Sequence, residues 1–188
     1  RTALQEVLAS LEGGKFGLSF ASGLAGEDAV IRATCAPGDH VILSDDLYGG
    51  TFRLMNRIHR AAGIDSEVVD MSDLDALRAA IKPGKTKLIW VETPTNPMLG
   101  ILDIAAIAKV ARENGVLSVI DNTFATPYLQ RPLELGADIV THSTTKYIGG
   151  HSDLLGGAVI VNDEELYEKI RFLSLIHISE PTRLLSIS

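Results

Sequence analysis

The sequence predicts an α/β fold with a mostly parallel sheet in an α/β/α sandwich, and three observations carry that expectation. Apolar spacing switches several times between the 3.6-residue helical period and short continuous runs, the pattern of βαβ units. One of those runs, Val116 to Ile120, is apolar except for Ser118 rather than alternating, as in strands covered on both faces. At 188 residues, with 46% hydrophobic and 22% charged residues, the chain has the composition of one globular core and not of a collagenous or disordered segment.

The elements follow in chain order. Thr2 and Gln5 form a capping box ahead of Leu4, Val7, Leu8 and Leu11, and Gly13-Gly14 stop that helix. Phe16 to Phe20 is a strand, after which Ser22-Gly23 opens a helix to about Ala36, ended by Pro37-Gly38. His40 to Leu43 is the next strand, followed by a helix from about Thr51 to Ala62 that stops at Gly63. Glu67 to Val69 is a short strand, Ser72-Asp73 cap a helix reaching Ile81, and Pro83-Gly84 turn the chain. Lys87 to Val91 is a strand, Asp103 caps a helix ending near Gly115, and Val116 to Ile120, Asp138 to Thr141 and Ala158 to Val161 complete the strand set. No internal repeat and no linker divides the chain.

Composition removes several function classes. A net charge of −7 leaves no basic field for nucleic acid or an anionic membrane surface. Cys35 is the single cysteine, so no intrachain disulfide or Cys-x-x-Cys site exists, and an intracellular, cytoplasmic home is expected. No apolar run approaches the ~18 residues of a membrane span, and no signal peptide is read at the N-terminus.

Open parallel sheets bind ligands beyond the carboxyl ends of their strands, so the residues standing there are the informative ones. They are Ser22-Gly23, Asp45-Asp46-Leu47-Tyr48, Glu92-Thr93-Pro94-Thr95-Asn96-Pro97, Asp121-Asn122-Thr123 and Ser143-Thr144-Thr145-Lys146. Ser22-Gly23-Leu24 at a helix start offers backbone N–H groups to an anion, although taken alone a plain N-cap with a glycine-assisted turn is the favoured reading. Ser143 and Thr145 beside Lys146 suit a phosphate next to an amine; alone, they read as a polar loop with a solvated lysine. Asp121, at the mouth of a buried strand, needs a cationic or hydrogen-bonding partner, either a pyridinium nitrogen or the following turn. Tyr48 before Gly49-Gly50 is a ring for a flat cofactor or a half-buried turn tyrosine, and Asn96 is a polar contact or turn chemistry. Together, an amine, a carboxylate, an aromatic cover and a phosphate cup are the parts of a pyridoxal phosphate site.

The stretches Tyr48-Gly49-Gly50-Thr51, Glu92 to Pro97, Val119-Ile120-Asp121-Asn122-Thr123-Phe124 and Ser143 to Asp153 resemble the cystathionine γ-synthase/γ-lyase group of trans-sulfuration enzymes. The resemblance runs from Arg1 to about Phe172. It implies the large domain of the pyridoxal-phosphate-dependent, aspartate-aminotransferase-like fold type I, here incomplete, with pyridoxal 5′-phosphate as cofactor. It makes Lys146 the Schiff-base lysine and proton shuttle, Asp121 the partner of the ring nitrogen and Tyr48 the stacking aromatic. Ser143, Thr145 and the backbone of Gly23 and Leu24 hold the phosphate, and Asn96 contacts the ring oxygen or the substrate. The implied reaction is replacement or elimination at the γ-carbon of a small amino acid. Cystathionine γ-synthase, joining an activated homoserine to cysteine, is the leading expectation, γ-lyase the alternative, and an inert cofactor-domain fragment the contrasting one.

The family also implies a homotetramer of dimers with shared active sites. Its cross-subunit tyrosine and arginine, and its substrate-carboxylate arginine, match no part of this chain. The expected division is 1–172, the central cofactor domain, and a tail from Leu173 to Ser188 that reads as translated adapter or frame-shifted sequence with no fold role. Other signals fall away. Ser143-Thr144-Thr145-Lys146 matches Ser-x-x-Lys without its companion motifs, Gly84-Lys85-Thr86 lacks the first P-loop glycine, and His142, His151 and Asp153 lack a further metal ligand.

Overall fold

The structure is a computed structural model and describes residues 1–176. Its centre is a seven-stranded sheet in the order β1-β7-β6-β5-β4-β2-β3. The strands are β1 (Phe16–Phe20), β2 (His40–Ser44), β3 (Asp65–Val69), β4 (Thr86–Glu92), β5 (Leu117–Asp121), β6 (Ile139–His142) and β7 (Gly157–Val161). Pairings β2·β3, β2·β4, β4·β5 and β5·β6 are parallel, whereas β7 runs antiparallel to β1 and β6. The carboxyl ends of β1, β2, β4, β5 and β6 therefore meet on one edge.

Helices cover both faces because each central strand is apolar on both. Val41, Leu43, Leu88, Trp90, Val119, Ile139 and Val159 pack on one side with α2 (Gly23–Thr34) and α7 (Glu164–Ile176). Ile42, Ile89, Val91 and Ile120 pack on the other with α4 (Leu74–Ala80) and α5 (Ile104–Glu113). Val140, Ala158 and Ile160 meet α1 (Thr2–Leu11). This alternation within continuous apolar runs is what a buried sheet demands. Asp73 and Asp103 cap α4 and α5 through their carboxylates, as the sequence indicates.

Four local expectations are corrected. Arg1 is the N-cap of α1 and no side chain caps it, because Thr2 already lies inside the first turn and cannot act as the box residue. The helix expected over Thr51 to Ala62 begins at Gly49, as α3 (Gly49–Arg53), and widens into a π-helical stretch, Leu54–His59, where Arg60 N–H donates to Met55 O five residues back. A short α6 (Thr126–Leu129) follows β5 without having been read from sequence. Finally, α7 crosses the boundary expected at Leu173: Leu166, Ile170 and Leu173 form one stripe on the core, and Ser174 is buried against Arg1. The remainder of that tail, 177–188, lies outside the described residues. Among the described residues no helix is long and apolar enough to cross a membrane.

Candidate active site

The shared strand edge forms a cavity of about 440 Å³ lined by Ser22, Gly23, Leu24, Glu27, Tyr48, Glu92, Asn96, Asp121, Thr123, Phe124, Ser143, Thr145, Lys146 and Leu155. All eight residues singled out from the sequence line it together. Glu27 and Leu155 are added by the structure, and Glu92, Thr123 and Phe124, which stand in the strand-end stretches, join the lining without having been assigned a role.

One side of the cavity is built by close approach of backbone to backbone. A Cβ on Gly157 would collide with Ser22 O, and one on Gly23 would stand 3.0 Å from Ser143 Cβ, so glycine at both positions brings the α2 N-terminus against the loop after β6. Ser22 Oγ accepts from Ala25 N at 3.1 Å, so Ser22 is the N-cap. The N–H groups of Gly23 and Leu24, in the first turn of a 12-residue helix, find no acceptor among the described residues and face the cavity with the positive end of the dipole. Ser143 Oγ is likewise without a partner there. Thr145 differs: its Oγ1 accepts Gly156 N–H at 3.0 Å and lies 3.2 Å from Gly156 O, so its hydroxyl also ties down the loop.

Asp121 caps the following turn and keeps one carboxylate oxygen open. Its Oδ1 accepts from Thr123 N at 3.0 Å and Thr123 Oγ1 at 2.6 Å, a turn cap, while Oδ2 takes no bond among the described residues. Thr123 Oγ1 in turn accepts Ser143 N–H at 2.9 Å, which joins the β5 end to the Lys146 loop. Burial pushes the Asp121 carboxyl above its ordinary range, and the Thr123 hydrogen bonds and His142 oppose that shift. Glu92 is pushed up to about 8 by burial and then by the Asp121 charge, against hydrogen bonds from Tyr48 N–H (2.6 Å) and Asn96. Glu27 is pushed up to about 8, by burial first and the Asp121 charge second, against a hydrogen bond from Thr51. Tyr48 lies with its ring where a Gly50 Cβ would be, half exposed over the cavity. Lys146 is exposed, and is the cation lining the cavity among the described residues.

These residues fit a flat cationic heteroaromatic with a phosphate arm. Three carboxylates on the floor lack a cationic partner of their own, and the helix N-terminus and Ser143 offer donors at the opposite side. Glu27 was missed by sequence reading because glutamate in a helix is ordinarily exposed. Its place three and four residues before Val30 and Ile31, within the apolar stripe, is the signal that finds it.

Comparisons with known proteins agree. Residues 1–180 match the family model described as Cys/Met metabolism PLP-dependent enzyme. A probable cystathionine gamma-synthase of Herpetosiphon aurantiacus is 57% identical over 173 residues, which are 92% of this chain and 54% of that protein. A cystathionine beta-lyase of Lactococcus lactis subsp. cremoris is 55% identical over 92% of this chain and 45% of its own. The crystal structure of metB from Corynebacterium glutamicum superposes with a TM-score of 0.90 at 53% identity, covering 93% of this chain and 46% of that one. The chain thus spans about half the length of the relatives it matches. It belongs to the Cys/Met metabolism PLP-dependent enzymes, with the fold of that family's cofactor domain and pyridoxal 5′-phosphate as its cofactor.

Proposed function

We propose that the full-length protein containing this segment is a trans-sulfuration enzyme acting at the γ-carbon of a small amino acid, and that it is a cystathionine γ-synthase joining an activated homoserine to cysteine. The observation that carries this reading is the single cavity in which Lys146, an open Asp121 oxygen, the Tyr48 ring and the α2 N-terminus face one another. The relatives named cystathionine gamma-synthase support the choice of synthase.

In this reading pyridoxal phosphate is held by Gly23 and Leu24 N–H, Ser143 and Thr145 at its phosphate, by Tyr48 over its ring, and by Asp121 at its ring nitrogen. When bound, the cofactor supplies an electron sink that acidifies C–H bonds beside the substrate amino group. Asp121 provides the negative charge that keeps a ring nitrogen cationic in a buried place. The Lys146 amine carries the cofactor and then moves protons to and from substrate carbon, work suited to a flexible, solvent-reachable side chain. Asn96, held beside Glu92, contacts the ring oxygen or the substrate. Assembly into a homotetramer with shared sites belongs to this reading.

The test is product analysis with the full-length enzyme. O-succinylhomoserine and cysteine should yield cystathionine. Breakdown of cystathionine at its β-carbon, with no synthesis, would instead make it a lyase of the kind named in Lactococcus lactis.

A further inference from the structure

The reading above leaves Glu27 without a role, although its surroundings are unusual. It is the fifth residue of α2, is 4% exposed, and lies in the apolar stripe of that helix. Its Oε2 is buried with no hydrogen-bond partner among the described residues. Asp121 faces it from β5, Glu92 from β4, Thr51 and Tyr48 from the start of α3, and Lys146 from the loop after β6. Asp28, next on the same helix, turns instead to Arg32 at 2.7 Å and His59 at 3.0 Å.

Two carboxylates on one dry floor do not both ionise readily, and the hydrogen bonds decide which keeps the proton. Asp121 receives two donors from Thr123, which favour its charged form. Glu27 has a buried oxygen that no donor among the described residues reaches, so nothing there holds a negative charge. We infer that Glu27 is a positioning residue of this pocket: it lines the same floor as Asp121 as a neutral acid and leaves the negative charge on Asp121. A ligand then meets one negative charge at Asp121 rather than two. Burial and the Asp121 charge push Glu27 in the same direction. The ligand in question comes from the function proposed above, whereas the protonation of Glu27 exists without any ligand.

Carboxyl-carbon NMR of the cofactor-free, full-length protein, labelled at glutamate side chains, tests this directly. One resonance, lost in Glu27→Gln, should sit at the position of a protonated acid at neutral pH. Should Glu27→Gln fail to fold, Glu27→Asp removes the same signal. In Asp121→Asn the titration midpoint of that resonance should fall by about one pH unit or more. A carboxylate position at neutral pH, or a midpoint that Asp121→Asn leaves in place, would overturn the inference. In protein loaded with pyridoxal phosphate, Glu27→Gln replaces one neutral group by another and should move the pH midpoint of the cofactor's visible absorption by less than about half a unit. A larger drop would show a charged Glu27 and overturn the inference. A protein that binds no pyridoxal phosphate would defeat the function proposed above, while the carboxyl resonance would still decide this inference.

Discussion

Asp121 and Asn122 are consecutive residues that enter polar clusters on opposite faces of the sheet. Asn122 joins a cluster in which acid and base meet within the fold, with Glu12 Oε2 and His142 Nδ1 buried and without a partner among the described residues. Its amide donates to Glu12 Oε1 at 2.7 Å and Gln130 O at 2.9 Å, and Gln130 Nε2 returns a bond to Asn122 Oδ1 at 2.9 Å and holds Thr93 O. His142 contacts the same Glu12 oxygen, so the acidic side chain has a basic partner within the fold. On the other face Asp121, Glu27 and Glu92 line a cavity whose one Lys or Arg among the described residues is exposed Lys146. Buried charge that the fold neutralises is architecture, and buried charge left for an outside cation marks a binding site. The same strand supplies both because its side chains alternate.

The largest expected effect lies in the Glu12–His142 cluster. Glu12→Ala leaves His142 and the Asn122 amide without their buried acceptor, and should cost about 3–5 kcal/mol of stability. Chemical denaturation of the full-length protein checks this, and a loss below about 1 kcal/mol would erase the contrast between the clusters. The Asp121 side should behave oppositely. Asp121→Asn keeps the size of the side chain and the Thr123 turn, so the fold should survive. Turnover of the full-length enzyme should fall about a hundredfold or more, equivalent to ~3 kcal/mol of transition-state stabilisation.

A pH series sharpens the comparison. Glu27 titrates at about 8 in the folded protein against 4.5 ordinarily, so between those values the folded state holds a proton that the unfolded chain has released. Stability of the cofactor-free protein should therefore fall as pH rises through this window and level off above about 8. Glu27→Gln should remove up to about 1.4 kcal/mol per pH unit of that slope. Thermal unfolding across pH 5 to 9 measures it, and parallel curves for the two proteins would exclude a raised Glu27.

The smallest effects separate two hydroxyls of the pocket. Thr145 Oγ1 is already engaged with Gly156, so Thr145→Val should cost about 1 kcal/mol of stability. Ser143 Oγ has no such partner, so Ser143→Ala should leave stability unchanged and weaken pyridoxal phosphate binding about tenfold, measured by cofactor titration.

Most of the sheet and the pocket were legible locally. Val119-Ile120-Asp121 is an apolar run ending in a carboxylate, and Ser143-Thr144-Thr145-Lys146 follows a strand; both patterns lie within a few residues. The Glu12–His142 cluster was not legible, since the two residues stand 130 positions apart and meet only where the end of α1 packs near β6. Glu27 was hidden for a different reason: its charge outweighs its place in the helical stripe. The α7 stripe escaped because Leu173 was read with the tail rather than with Leu166 and Ile170. In the π-helical stretch nothing in Leu54–His59 announces a wider turn.

The central claim is that the strand edge is a pyridoxal phosphate site with Lys146 as its amine. Borohydride reduction of the full-length protein loaded with the cofactor, followed by peptide mapping, tests it most directly. The account predicts the pyridoxyl group on Lys146, and a pyridoxyl group on any other lysine would contradict it.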